Sequence, residues 1–371
     1  MKTNCYSTFG QNKPFVPMSK QNILPNKSQE KHALGIKVNR WILLFQFIFL
    51  SVILFSSAAI ATSTTTYTSG YYQFRLDSEG NAIITDYSGD EQSVSIPATL
   101  DGHLVVSIEF HGFASCISIE SLTLPDSLMS IGDAAFNGCS FKSITLPDNI
   151  QSIGKDAFSA NSSLEYVKLP QNLQSIGESA FYNCSSLKSI TLPENIQSIA
   201  EDAFNGCDSL ESIWISEDNP VYATIDGILF KKDTKLLMVY PAEKKDTMYS
   251  VPQGILSVCD MAFYGCDALS SVSLPEGLQS IGSFAFANCP SLVSIIIPNG
   301  VQSIGERAFN NDDSLSTATL PESVQFIGDR AFNGCDMLLL MAPENSYAIN
   351  WAKENQVRYQ STDASNDWLN P

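Results

Sequence analysis

The chain predicts a leucine-rich-repeat solenoid, with a parallel β-sheet on its concave face, short helical turns on the other side and a β-hairpin island. Three observations carry that expectation. A sentence of 22 or 23 residues recurs between about Ile96 and Met341, clearest in SLKSITLPENIQSIAEDAFNGC from Ser186 to Cys207. One aromatic keeps its phase at Phe113, Phe136, Phe158, Phe181 and Phe204, then at Phe263, Phe286, Phe309 and Phe332, giving nine turns split five and four by a 59-residue gap. The opening of a turn follows the pattern L-x-x-L-x-L-x-x-N-x-L at Leu187, Ile190, Leu192 and Asn195, with Ile196 standing one residue before the pattern's last position.

Each turn is legible in physical terms. Ile190 and Leu192 alternate with Ser189 and Thr191, the period of a strand with one buried face. Pro193 cannot donate to a ladder and ends that strand. Ile196 and Ile199 return apolar groups inward. The glycine that follows in most turns (Gly132, Gly154, Gly177, Gly282, Gly305, Gly328) suits a bend needing permissive dihedrals. A helical turn over Glu201 to Phe204 would then lower Ala203 and Phe204 onto the core. No turn buries its own face, so neighbours must stack.

The sentence L-P-x-x-[IL]-x-S-I-G-x-x-A-F-x-x-C resembles the BspA-like leucine-rich-repeat family, also called the Treponema pallidum-type repeat, of bacterial and some protozoan surface and secreted proteins. The resemblance runs from about Tyr71 to Tyr359. It includes the entry segment GYYQFRLDSEGNAIITDYSG, the island NPVYATIDGILFKKDTKLLMVYP and the tail NSYAINWAKENQVRY. It implies adhesion, with host matrix proteins or neighbouring cells as the partner class.

Residues 1–40 are polar and basic, with seven Lys or Arg against Glu30 alone. An apolar run over 41–61 ends in Ala59, Ile60 and Ala61, the form of a signal-peptidase site. The run is also about long enough to span a bilayer, so a cleaved signal peptide and an uncleaved anchor are both open. Either way the basic flank stays cytoplasmic and everything after Thr62 is exported, touching membrane only through this N-terminal segment. Residues 62–95 read as an N-terminal cap of short strands, 96–216 as the first array, 217–250 as the island, 251–343 as the second array, 344–360 as a C-terminal cap and 361–371 as a disordered tail. In the island two apolar runs flank Lys231, Lys232 and Asp233, the signature of a hairpin projecting beside the solenoid. A short helix from Asn345 through Glu354 offers Tyr347, Ile349 and Trp351 to cover the last turn.

Beyond residue 61 the chain holds 14 basic and 38 acidic side chains, a formal charge of −24. That charge repels nucleic acid and anionic lipid, so neither is an expected partner. No acidic loop has calcium-site spacing. Only His103 and His111 lie in the exported part, no nucleophile, base and acid share a recognisable spacing, and no acid pair faces a common surface. The expectation is a protein without catalytic residues, metal or cofactor.

Seven of the nine cysteines (Cys116, Cys139, Cys184, Cys207, Cys266, Cys289, Cys335) stand three residues after the repeat Phe, and Asn161 and Asp312 hold that position in the other two turns. Asn and Asp replace a thiol bonded to backbone, but not half a disulfide or a soft-metal ligand, so a buried polar ladder is expected. Asn161 and Asn183 each begin an N-x-S acceptor pattern. Glu120, Lys142, Glu165, Lys188 and Glu211 alternate in sign along one column, which would help set register.

Outward strand positions are mostly Ser and Thr. Against them stand Tyr166, Lys168, Trp214 and Ile296, the candidate contacts for a protein or glycan on host or neighbouring cells. Trp214 either faces outward or packs under the island that follows it. A surface-displayed or secreted binding module and a structural spacer of the cell envelope both fit a repeat scaffold, and an exposed aromatic patch separates them.

Overall fold

A computed structural model describes residues 65–363. The basic segment, the apolar run 41–61 and residues 364–371 of the tail lie outside the described residues. Among the described residues no helix is long and apolar enough to cross a membrane.

The chain winds as a β-solenoid, and each turn contributes strands to two faces. Three-residue strands such as Ser143–Thr145, Tyr166–Lys168, Ser189–Thr191 and Ser212–Trp214 pair in parallel on one face. Two-residue strands such as Ser152–Ile153, Ser175–Ile176 and Ser198–Ile199 pair in parallel on the other. The second sheet arises because Ile196 and Ile199 point inward while Gln197 and Ser198 face water. The second array repeats the arrangement, with Ser271–Ser273, Ser294–Ile296 and Thr317–Thr319 facing Ser280–Ile281, Ser303–Ile304 and Phe326–Ile327.

Between the sheets runs one continuous apolar core. The repeat phenylalanines stack face to face, with ring centroids 5.4 Å apart for Phe158 and Phe181 and 5.2 Å for Phe286 and Phe309. Tyr87 extends the stack into the N-terminal cap at 4.8 Å from Phe113, and Trp351 closes it edge-on against Phe332 at 5.9 Å. The helix is Tyr347–Glu354, with Ser346 as its N-cap. Ile349 and Trp351 are buried under the last turn, whereas Tyr347 faces solvent.

Three expectations need correction. The segment carrying Ala-Phe is not helical. In every turn but that of Ala200 a residue two after the Gly position is left-handed, as at Ala134, Asp156, Ser179 and Arg307, and in all of them another lies just before the Cys position, as at Ser115, Gly138, Asn183 and Gly206. A helix cannot accommodate two such residues, and the segment closes as consecutive turns. The repeat glycines, in turn, do not have positive φ. A Cβ on Gly154 would lie 2.6 Å from the carbonyl carbon of Gly132, and one on Gly305 would lie 2.5 Å from that of Gly282. These glycines are required by close backbone approach between turns. Glu109, Ala200 and Cys259 hold this position in the other three turns.

The island does not project. Tyr222–Ile225, Ile228–Lys231 and Leu236–Val239 form an antiparallel meander whose last strand pairs in parallel with Ser257–Val258, so the island begins the second array's two-residue-strand sheet. Its Leu229, Leu237 and Met238 are buried in the common core, and Tyr240 takes the place of a repeat Phe at 4.9 Å from Phe263. Asn219 seals the joint with the first array. Its amide donates to the carbonyls of Glu194 (2.6 Å) and Ile196 (2.9 Å), and its oxygen accepts from Val221 and Tyr222 N–H. The Tyr222 hydroxyl accepts the Ile199 N–H at 2.7 Å.

Candidate functional site

The three-residue-strand sheet of the first array carries the candidate contacts, and the ladder sets their geometry. Tyr166 pairs with Ser189, and Ser189 with Ser212; two residues on, Thr191 pairs with Trp214. Continuing that register puts Lys168 beside Thr191. Alternation turns Val167, Ile190 and Ile213 into the core and leaves the flanking residues outward. Tyr166 is 53% exposed and Trp214 52%, on strands separated by one whose outward residues are only Ser189 and Thr191. The result is a slot with an aromatic wall on either side and a floor of hydroxyls. Two strand spacings and a two-residue offset along the strands put the Cα atoms of the two wall residues about 12 Å apart.

Trp214 therefore does not pack under the island. Its indole N–H donates to the Ser212 hydroxyl at 2.9 Å, which tilts the ring toward the Tyr166 row. The island stands beside it: Gly227, left-handed at φ 78°, places its carbonyl 2.8 Å from the Ile213 N–H, and a Cβ there would meet Ser212 at 2.8 Å. A recess of about 460 Å³ opens on the Tyr166 side of the slot, lined by Tyr166, Lys168, Gln171, Ser189, Thr191 and Glu194 among others, and Trp214 is not part of its lining. Gln171 and Glu194 were not singled out in the sequence. Both follow the strand-ending proline (Pro170, Pro193), and that shared repeat position was the available signal.

Charge around the slot is partly compensated. Lys188 Nζ lies 2.7 Å from Glu165, whose carboxyl it holds below the usual carboxylate range. This is the ion pair that the charge column Glu120, Lys142, Glu165, Lys188, Glu211 forms among the described residues. Lys168 makes no ion pair among them. Of the island lysines, Lys232 is turned inward to the Asn219 carbonyl.

Ile296, 69% exposed, is not brought to this slot. The sheet stops at Ser212–Trp214 and restarts at Met248–Ser250, and Ile296 lies beyond the break in a separate recess with Ser271, Ser273, Glu276 and Ser294.

The thiol column lies on the opposite side of the core. Cys139 Sγ donates to the Phe113 carbonyl at 3.1 Å, Cys184 to Phe158 at 3.1 Å, Cys207 to Phe181 at 3.2 Å, Cys289 to Phe263 at 3.1 Å and Cys335 to Phe309 at 2.9 Å. Asn161 Nδ2 donates at 2.9 Å to the carbonyls of both Phe136 and Phe158. Cys116 is half-buried at the array's start, and Cys266 is buried. The described cysteines are unbridged. Burial pushes the Cys184 thiol up to about 12, and it raises Cys207 and Cys266 as well, so these sulfurs stay protonated donors rather than nucleophiles. Asp312 differs: Oδ1 accepts the Cys289 N–H at 2.8 Å, while the buried Oδ2 has no partner. Among the described residues no group of His, Cys, Asp or Glu is placed to hold a metal ion.

Residues 106–236 and 243–352 match the family described as BspA type leucine rich repeat region, in six copies. No curated protein matches the chain. Among solved structures, a leucine rich cell surface protein from Faecalibacterium prausnitzii is 24% identical, with a TM-score of 0.54 over 83% of this chain and 97% of that one. The pneumococcal vaccine antigen PcpA is 19% identical, with a TM-score of 0.61 over 82% and 100%. A leucine-rich repeat protein from Eubacterium ventriosum is 23% identical, with a TM-score of 0.55 over 76% and 78%. At these identities the likeness is one of fold.

Proposed function

Since the chain belongs to the BspA-type leucine-rich-repeat family, we propose that it is a non-catalytic binding module displayed on or secreted from the cell, holding a partner on host or neighbouring cells against the sheet at Tyr166 and Trp214. One observation carries this reading. Two half-exposed aromatic rings stand on a sheet otherwise surfaced with Ser, Thr and Lys168. Nothing in the packing requires those rings to face water, and exposed aromatics concentrate binding energy. Lys168 and the abutting island give the site polarity and an edge.

Export rests on the basic residues 1–40 followed by the apolar run 41–61. Protease treatment of intact cells is expected to release peptides from residues 62–371, and peptides appearing only after lysis would refute export. For binding, the full chain is incubated with immobilised matrix proteins and with whole cells. Replacing Tyr166 and Trp214 together by Ala is expected to abolish capture while leaving Tm within a few degrees of the parent. A chain that captures nothing before mutation is an envelope spacer, the competing reading.

A further inference from the structure

Building on that binding reading, we infer that the slot between Tyr166 and Trp214 receives a pyranose ring of a glycan chain. The floor is the first argument. Ser189 and Thr191 present hydroxyls, and the recess adds the amide of Gln171, the carboxylate of Glu194 and the ammonium of Lys168. That set donates and accepts hydrogen bonds in several directions, as a ring of vicinal hydroxyls requires. The walls are the second argument. Wall residues whose Cα atoms lie about 12 Å apart, with the indole drawn toward the Tyr166 row, leave room for one saturated ring in van der Waals contact, at about 3.5–4 Å, with an aromatic side chain on each side. The Trp214 to Ser212 hydrogen bond holds the indole over the row that Tyr166 occupies.

A polypeptide fits less well. Strand addition is closed, because Ser189–Thr191 is already paired on both edges. A protein interface needs about 800 Å² per partner with an apolar centre. Around the two rings the outward positions are Ser143, Thr145, Ser189, Thr191 and Ser212, which offer little apolar area. Lys168, without a carboxylate partner among the described residues, offers its ammonium to a ring oxygen or an acidic substituent.

The test is a calorimetric titration of the full chain with a panel of soluble oligosaccharides built from glucose, galactose, mannose, N-acetylhexosamine and uronic acid units. At least one is expected to bind saturably. Tyr166→Ala and Trp214→Ala are each expected to weaken that binding tenfold or more, and Thr191→Val severalfold. Ile296→Ala, in the other recess, should leave it unchanged. Failure of every oligosaccharide to bind, or binding indifferent to both ring deletions, overturns the inference. A parallel arm separates it from the broader reading: the full chain is offered target cells with and without periodate oxidation, which cleaves vicinal diols. Capture that survives oxidation but needs Tyr166 and Trp214 leaves a binding module with a protein partner and sinks the glycan. Loss of capture on oxidation supports it.

Discussion

Asp312 occupies a position where six of the other eight occupants donate a hydrogen bond to a phenylalanine carbonyl in the preceding turn, as Cys335 does to Phe309 and Asn161 to Phe136. A carboxylate cannot donate; a carboxylic acid can. Burial, with Asp313 adding to it and the Cys289 N–H opposing it, pushes the Asp312 carboxyl up to about 8, so the folded chain keeps the proton at neutral pH. The groups facing it are the Cys289 N–H, the Cys335 thiol and Asp313 at the turn's surface. An unfolded chain releases the proton near 3.8. Native protein thus binds more protons than unfolded between about pH 4 and 8, and stability falls across that window and levels off above it. Asp312→Asn, which keeps an acceptor for the Cys289 N–H and supplies a donor without titrating, should match the parent near pH 4 and exceed it at pH 8 by about 1–3 kcal/mol, the cost of a buried unsatisfied group. Thermal melts of both proteins across that range check it, and parallel pH profiles would refute it.

One turn is shaped by two kinds of backbone demand that the sequence mixes together. Left-handed positions before the Cys column take Gly, Asn, Ser or Ala, and a residue type so variable gives no clear motif. The recurrent Gly after Ile is instead set by contact with the previous turn, a demand that spacing along one chain does not reveal. Strands, their inward and outward alternation and the Phe stack were legible because period 2 and the repeat phase act locally. The two-residue strands and the non-helical Ala-Phe segment were not, since both depend on hydrogen bonds to turns 22 or 23 residues away, such as Phe158 N–H to the Ala180 carbonyl. Gly154→Ala forces a methyl group to 2.6 Å from Gly132. It is expected to cost on the order of 3 kcal/mol by displacing two turns, measured by chemical denaturation. An unchanged denaturation midpoint would show that the stack yields easily there.

Across the whole solenoid, the 217–250 segment decides whether the arrays behave as one body. Between Ser198–Ile199 and the island, side chains take over from the regular strand ladder, chiefly Asn219 and the Tyr222 hydroxyl. Asn219→Ala strands four backbone partners and should split the single unfolding transition into two in scanning calorimetry, with the array nearer the cut melting about 5–10 °C earlier. A single transition shifted as a block would mean that the shared core alone couples the arrays. Of the candidate site, Tyr166, Lys168 and Trp214 were legible because they interrupt a Ser/Thr column. Ile296 looked equivalent along the sequence, and only the sheet break at the island sets it apart. Within either array, however, every turn boundary is interchangeable with the next. Unequal recombination between neighbouring repeats therefore adds or deletes a whole turn without disturbing any ladder, whereas a crossover inside 217–250 has no matching seam. Excising 165–187 joins Leu164 to Lys188 in phase and yields a shorter solenoid lacking Tyr166 and Lys168, so a gain or loss of binding specificity is a single genetic event away from an intact fold.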